Sequence, residues 1–371
     1  MRDFRRIFAN SYLLGDLPKG CKYCVKGAKL VLFLTGRCPL NCWYCTISKA
    51  RWQKDIVLAN ERVVKKTSDV VEEAKLQKAM GAGLTGGEPF AVFRRTLNYV
   101  KLLKKIFGKK FHLHLYTSGF KVSFTMLKSL QKAGLDEIRF HVTASNSWDV
   151  VEEALKLDWD VGIEIPVIPE QEELIKDIVV RADEISVKFI NLNELEVSER
   201  NEKILLEKGY VLKENAPTAV EGSEETALRI LKFARKNTKR IFVHYCSAAT
   251  KNVYQLQNRW KRRARSIKEA YEVIDENGFL VKGVIYSDEP KKLANELIKK
   301  YNIPFSHLKV KNDRIETSIK LVKLISRKEK MRCYVVKQLP IWKPWDVERI
   351  PIVNGKPLSN FQILHRQKLQ R

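Results

Sequence analysis

Between residues 29 and about 198 the chain alternates short apolar runs with longer stretches whose apolar residues recur every three or four positions. The runs at 29–35, 81–84, 112–116, 137–142, 162–168 and 189–195 predict strands. The stretches at 68–80, 94–107, 123–133, 147–157 and 170–182 predict amphipathic helices, the first with Ser68 as N-cap and Asp69, Glu72 and Glu73 in its opening turns. Six strand–helix units imply a parallel sheet with right-handed crossovers, and functional residues just past the strand ends. A further helix over 223–236, with Ser223 as N-cap, precedes a strand ending at Cys246. Residues 268–340 predict a separate small α/β module. It opens on a hairpin around Asn277 and Gly278, followed by a helix at 289–300, a strand near 305–310, a helix at 315–326 and a strand at 332–337. The Pro-rich tail from residue 340 is expected to wrap the surface. The divisions drawn from this pattern are 1–28, 29–200, 201–267 and 268–371.

The chemistry gathers at the predicted strand ends. Cys38, Cys42 and Cys45 follow the first strand in the spacing C-x3-C-x2-C. Iron–sulfur cubanes normally take four thiolates, so three leave one iron open to another ligand. Structural zinc prefers four ligands in C-x2-C pairs, and nothing secretory in the chain favours a disulfide. After the second strand comes Thr85-Gly86-Gly87-Glu88-Pro89, where two glycines admit a close backbone approach.

Together the two motifs resemble those of the radical S-adenosylmethionine (radical SAM) superfamily. Within it the chain is most similar to archaeal proteins related to pyruvate formate-lyase activating enzymes, over about residues 21–200. The resemblance implies a partial (β/α)6 TIM-type barrel, the radical SAM core, to which the residue pattern adds the basic C-terminal α/β module. It implies a 4Fe-4S cluster on Cys38, Cys42 and Cys45 whose fourth iron chelates SAM. One electron from a donor such as ferredoxin then yields methionine and a 5′-deoxyadenosyl radical. Tyr44 fits the motif, and Gly86, Gly87 and Glu88 match the turn that holds the SAM amino group. Ser118 stands where relatives carry asparagine in a Thr-Asn-Gly turn. His141, sharing an alternation with Thr143 and Ser145, is read as a SAM contact or as a satisfied core histidine. Glu164, inside an apolar strand, must be paired or cavity-facing. Asn193, with Asn191 and Glu194, contacts SAM or substrate, or forms an ordinary sheet edge.

The remaining cysteines add a second question. Cys21 and Cys24 form a C-x2-C flanked by glycine, and Cys246 ends a strand, whereas Cys333 reads as a strand interior. Cys21, Cys24 and Cys246 are expected to hold a second iron–sulfur cluster, with zinc, or core packing of Cys246, as alternatives.

Charge changes the picture last. The formal net charge is +26, and residues 251–371 carry 28 Lys/Arg against 12 Asp/Glu. That imbalance suggests a polyanionic partner. Arg259, Lys261, Arg262, Arg263 and Arg265 surround Trp260, offering phosphate contacts and a base-stacking plate, or else a solvated helix face whose tryptophan packs inward. The main expectation is therefore modification of a tRNA or rRNA nucleotide. The alternative is a protein- or peptide-directed enzyme such as a glycyl-radical-enzyme activase; a zinc-and-RNA binding module without catalysis is a third. No apolar stretch approaches the roughly 20 residues of a membrane span, and no signal peptide is read, so a cytoplasmic protein is expected; the oligomeric state is left open, with a monomer favoured.

Overall fold

The computed structural model describes residues 3–142 and 148–358. It divides into two compact units, Met1–Asn258 and Arg259–Arg371.

The first unit is built on seven parallel strands: β1 (Lys29–Phe33), β2 (Gly81–Thr85), β3 (His112–Thr117), β4 (Glu137–Phe140), β5 (Asp160–Val167), β6 (Phe189–Glu194) and β7 (Phe242–Cys246). They pair in chain order, each parallel to the next. Antiparallel strands flank both edges: Tyr12–Leu14 and Phe4–Arg6 beyond β7, Leu58–Ala59 and Arg62–Val63 beyond β1. All six expected strands are present within a few residues. The seventh pairs with β6, so the sheet runs past the division drawn at residue 200.

Helices α1 (Thr67–Leu76), α2 (Phe93–Phe107), α3 (Phe124–Lys132), α4 (Trp148–Leu155), α5 (Glu172–Glu184) and α6 (Ser223–Asn237) form the crossovers. Their apolar stripes bury Val70, Val100, Leu103, Leu127, Val151, Val179 and Ile230 against sheet residues such as Leu32, Leu84, Leu115, Ile138, Ile163 and Ile190. The alternate face of the sheet carries polar side chains, and this asymmetry positions the site.

Two expected caps are corrected. The N-cap of α1 is Lys66, and the capping is done by Asp69, whose carboxylate accepts from Lys65 N and Lys66 N. The N-cap of α6 is Gly222. Ser223 instead accepts from Leu195 N and donates to Val167 O, stitching the ends of β5 and β6. The N-terminal segment, read as a turn-bearing extension, contains a helix, Lys19–Val25, that carries both cysteines of the C-x2-C. Thr143 and Ser145 lie outside the described residues.

The second unit is an antiparallel sheet of Leu308–Val310, Arg314–Thr317, Leu280–Tyr286, Arg332–Gln338, Asp346–Val353 and Lys356–Pro357, with Val273–Ile274 beside Leu280–Tyr286. Helices Pro290–Tyr301 and Ile319–Lys328 cover one face over Val281, Ile285, Leu297, Ile315, Val322, Ile325 and Cys333. Two expectations are corrected here. Residues 314–317 form a strand, because their register opposite Gly283–Tyr286 places Ile315 in the core; the helix starts only at Ile319. The tail is not a wrap: Asp346–Val353 pairs along Arg332–Gln338, so its backbone groups are used in the ladder.

Candidate active site at the strand ends

The loop after β1 is rooted on the turn after β2. Leu34 N donates to Thr85 O, Gly87 N to Thr35 O at 2.7 Å, and Glu88 N to Arg37 O at 2.8 Å. A Cβ at Gly86 or Gly87 would collide with the carbonyl oxygens of Thr35 and Arg37, and Gly86 has φ 140°. The glycines are therefore required by the approach of two backbone segments, which seats the cysteine loop beside the turn.

Cys38, Cys42 and Cys45 are all half-buried, and none is in a disulfide. Cys38 is held by Gln53, whose amide donates to Cys38 O at 2.7 Å. Cys45 N donates to Cys42 O, which also accepts from Arg200. Burial pushes the Cys38 thiol up to about 11 and raises that of Cys42. Among the described residues no three metal-ligating side chains already stand at chelating distance. The donor set nevertheless fits an iron–sulfur cluster: three soft thiols lie within eight residues of one loop, within electrostatic reach of one another, and Cys38 lines a cavity it shares with Glu88.

Glu88 is almost fully buried. Its Oε1 accepts from Phe90 N and from Thr117 Oγ1; its Oε2 accepts from Ser118 N at 2.8 Å and from Ser118 Oγ at 2.6 Å. The carboxylate thus clamps the end of β2 to the end of β3 with its four lone-pair positions used. Ser118 finds its role in this clamp.

A cavity of about 550 Å³ opens at these strand ends, between Thr46 next to the cysteine loop and Cys24 on the N-terminal helix. Its wall joins Tyr116, Thr117, Arg139, His141, Glu164 and Asn193 from β3 to β6. Arg139 donates to Glu137 at 2.5 Å and to Glu164 at 2.8 Å. Glu164 also accepts from Asn191 at 2.9 Å and from Asn193 at 3.1 Å. Burial alone would raise the Glu164 carboxyl, but Arg139, Asn191 and Asn193 outweigh it and hold it below the usual range. His141, which burial keeps neutral, bridges the Tyr44 hydroxyl and Glu164 O. Glu194 is not in this wall: it accepts from Lys213 at 2.6 Å and from Ala248 N at 2.7 Å.

Tyr116, Arg139 and Lys251 were not anticipated. Arg139 had a legible signal, since strand alternation puts it on the face of His141 and an ionised group inside β4 requires a partner. Lys251 had none. A π-helical turn, Thr250–Gln255, follows β7, and Lys251 pairs there with Glu196.

The C-x2-C helix packs on the same polar face. Gly20 N donates to Glu137, and Cys21 Sγ accepts from Arg139 and from Asn191 Nδ2, both at 3.4 Å. Burial pushes the Cys24 thiol up to about 12, with Cys21 adding to it. Burial also raises Cys246 well above its usual value, and Cys24 and Cys21 raise it further.

The basic segment looks different from its sequence. Helix Leu256–Ile267 carries it, but Arg259 and Arg263 are buried, Lys261 and Arg262 are half-buried, and Arg265 is exposed. Trp260 packs on Phe279 with ring centroids 5.5 Å apart. The inward-packing reading of the tryptophan therefore applies. Among the described residues no helix is long and apolar enough to cross a membrane.

Residues 32–182 match the family described as "Radical SAM superfamily", and residues 278–352 match "Domain of unknown function (DUF8061)". A protein of Methanocaldococcus jannaschii, provisionally named a glycyl-radical enzyme activating enzyme, is 39% identical over 360 residues, covering 92% of this chain and 94% of its own. Among solved structures, SuiB of Streptococcus suis bound to S-adenosylmethionine covers 59% of this chain and 50% of its own, at 12% identity and TM-score 0.43. TsrM, a radical S-adenosylmethionine methyltransferase from Kitasatospora setae, covers 67% and 54%, at 12% identity and TM-score 0.37. The chain spans about half the length of each of these two structures. With the cysteine loop, the Gly86-Gly87-Glu88 turn and a relative alike over nearly its whole length, this chain belongs to the radical SAM superfamily and is an enzyme that uses a 4Fe-4S cluster and S-adenosylmethionine.

Proposed function

We propose that the chain is a radical SAM enzyme that acts on a polypeptide, abstracting hydrogen from a glycine of a partner enzyme. The observation that carries this reading is the likeness to the M. jannaschii protein, which extends through both units rather than over the radical SAM region alone. Cys38, Cys42 and Cys45 would hold the cluster. When bound, the cluster and SAM supply a carbon-centred radical at the strand ends. The chain's own residues do the rest. The Glu88 clamp fixes the rim, His141 and Tyr44 join it to the cysteine loop, and Glu164 with Asn193 presents hydrogen-bonding groups inside the cavity. Polar groups on a partly enclosed wall orient a ligand while limiting water.

RNA as substrate draws less support. A phosphate-tracking surface needs basic groups in reach of solvent. Two of the five arginines and lysines around Trp260 are buried, and Trp260 itself is packed on Phe279.

The test is anaerobic incubation of the iron-loaded chain with SAM, a low-potential reductant and an extract of its own cells, treated beforehand with either protease or ribonuclease. The expected result is 5′-deoxyadenosine formation and a glycyl-radical doublet in electron paramagnetic resonance, both surviving ribonuclease and both abolished by protease. Stimulation that survives protease and disappears with ribonuclease would sink the proposal in favour of RNA.

A further inference from the structure

The polar face of the sheet holds a histidine that the reading above leaves without a task. His244 lies on β7, two residues before Cys246, so both side chains fall on one face of the strand. Only 1% of its surface is exposed. Its Nδ1 lies 3.1 Å from Asn191 Oδ1, and its Nε2 is buried with no hydrogen-bond partner. The amide oxygen can only accept, so Nδ1 carries the proton and Nε2 presents a bare lone pair. A buried, unsatisfied imidazole nitrogen is costly unless something binds it.

Three thiols are linked to this histidine through its strand and through Asn191. Asn191, which orients His244, also donates to Cys21 Sγ at 3.4 Å, so one side chain touches both residues. Cys24 follows Cys21 by three positions on one helix, which puts both sulfurs on the same side. Cys246 stands directly opposite Asn193 in the pairing of β7 with β6, and Cys21 and Cys24 both act on its thiol. The N-terminal helix is brought this close by Gly20. A Cβ there would stand 2.5 Å from the Arg139 guanidinium, 2.6 Å from His114 Nδ1 and 2.9 Å from Glu137 Oε1.

We infer that Cys21, Cys24, Cys246 and His244 form a second metal site, a three-thiolate, one-imidazole set for a thiophilic centre, either a zinc ion or an iron–sulfur cluster. The set is chemically complete: soft sulfur donors with one imidazole suit zinc and iron–sulfur centres and disfavour magnesium or calcium. Its outer shell is already in place. A metal-bound histidine ordinarily donates its other ring N–H to a fixed acceptor, and Asn191 is that acceptor. The Arg139 guanidinium beside Cys21 offsets the negative charge of bound thiolates. The four ligands are not yet at chelating distance, which is equally true of Cys38, Cys42 and Cys45. In both sets metal binding requires the sulfurs to shed protons and draw together.

The experiment uses the full chain carrying Cys38→Ala, Cys42→Ala and Cys45→Ala, so that any metal left reports the second site whatever the substrate of the first. Elemental analysis and X-ray absorption separate the two sources: about one zinc, or about four irons with sulfide. Zinc is expected to show three sulfurs to one nitrogen in X-ray absorption, whereas a cubane is expected to show sulfur almost alone there and its one imidazole nitrogen as a hyperfine coupling in pulsed electron paramagnetic resonance of the reduced cluster. His244→Ala on that background is expected to remove the nitrogen signal and weaken metal binding at least tenfold, and Asn191→Leu to weaken it about 10- to 100-fold. His244→Cys, which restores a ligand, is expected to keep the metal with an all-sulfur spectrum, showing that loss in His244→Ala is not misfolding. A triple variant without metal, or a metal spectrum unchanged by His244→Ala, overturns the inference.

Discussion

The Tyr44 hydroxyl and His141 Nε2 meet at 2.8 Å, which ties the cysteine loop to the end of β4. On its other side His141 Nδ1 lies 3.1 Å from Glu164 O. A carbonyl only accepts, so Nδ1 is the protonated nitrogen and Nε2 accepts from the tyrosine. Tyr44→Phe removes the donor and leaves a half-buried acceptor unsatisfied. Urea unfolding of the metal-free protein is expected to show a loss of about 1 kcal/mol. Adding His141→Ala to Tyr44→Phe should cost less than the two single changes together, because the shared bond is lost only once. Full additivity would mean that the bond does not form.

Glu88 yields a sharper prediction, since its work is visible without any ligand. Glu88→Ala strips partners from Phe90 N, Thr117, Ser118 N and Ser118 Oγ together. The metal-free protein is expected to lose about 3 kcal/mol, because hydrogen bonds to a charged group exceed the neutral average. Glu88→Gln keeps one oxygen acceptor and should fall between the alanine variant and wild type. If Glu88 served only to receive a ligand's ammonium group, both variants would unfold like wild type in the absence of SAM.

Gly20→Ala tests how the C-x2-C helix is held. The added methyl has no free space between Arg139, His114 and Glu137, all of which are buried and bonded in the wall. Overpacking of this kind costs about 1–3 kcal/mol. The expected outcome is faster proteolytic cutting near residues 15–28 while the remaining chain stays resistant. Unchanged cutting would show that the helix docks without needing the glycine.

What the sequence disclosed and what it hid follow from the range of the interactions. β1 to β6 and their helices were legible because apolar period and strand length are local properties of each segment. The cysteine loop and the Gly86-Gly87-Glu88 turn were legible because their chemistry sits within a few consecutive residues. The Lys19–Val25 helix was not, for it is only seven residues long and its docking depends on Glu137 and Asn191, more than a hundred residues away. His244 was hidden for the same reason: its open nitrogen has meaning only beside Asn191 and Cys21. The strand Asp346–Val353 was masked by Pro344 and Pro351, which read as tail. Pro351 is accommodated opposite Tyr334 within the ladder. The basic run around Trp260 misled in the other direction, because charge in a sequence does not say which arginines will be buried.

Lys29 makes stability depend on pH in a defined direction. It is buried at the start of β1, with Nζ 2.9 Å from His112 Nδ1 and 3.0 Å from His112 O. Burial pushes its ammonium down to about 7; Glu137, Cys24 and Asp136 pull it back up, and Arg139 lowers it further. Between about pH 7 and its ordinary value of 10.5 the unfolded chain holds a proton that the folded chain has released. Stability attributable to this group therefore rises with pH in that window, by up to about 1.4 kcal/mol per unit, and is at its lowest below pH 7. The difference in unfolding free energy between wild type and Lys29→Met, followed from pH 6 to about pH 10, should carry this slope. A flat difference would show that Lys29 stays charged in the fold.

In the second unit Lys282 stands between two buried carboxylates, 2.9 Å from Glu316 and 3.2 Å from Glu272. All three are at most 5% exposed. Gln338 accepts a further bond from Lys282, and Arg314 reaches Glu316 from its outer side at 2.8 Å. Burial opposes the Glu316 charge, but Lys282 and Arg314 outweigh it and hold the carboxyl below its usual range. Lys282→Met would leave two carboxylates facing each other in the wall of a cavity of about 540 Å³, with Arg314 and the Tyr271 hydroxyl on Glu316 and the Glu269 N–H on Glu272. Removing one partner from a buried ionic group costs about 3–5 kcal/mol, and the unfolding transition of the second unit is expected to move by that much. Glu272→Gln added to Lys282→Met removes the unanswered charge and should recover part of the loss, a coupling that arises only between groups in contact. Recovery shows that repulsion between the stranded carboxylates causes the loss. Its absence would assign the loss to the missing hydrogen bonds of Lys282 alone.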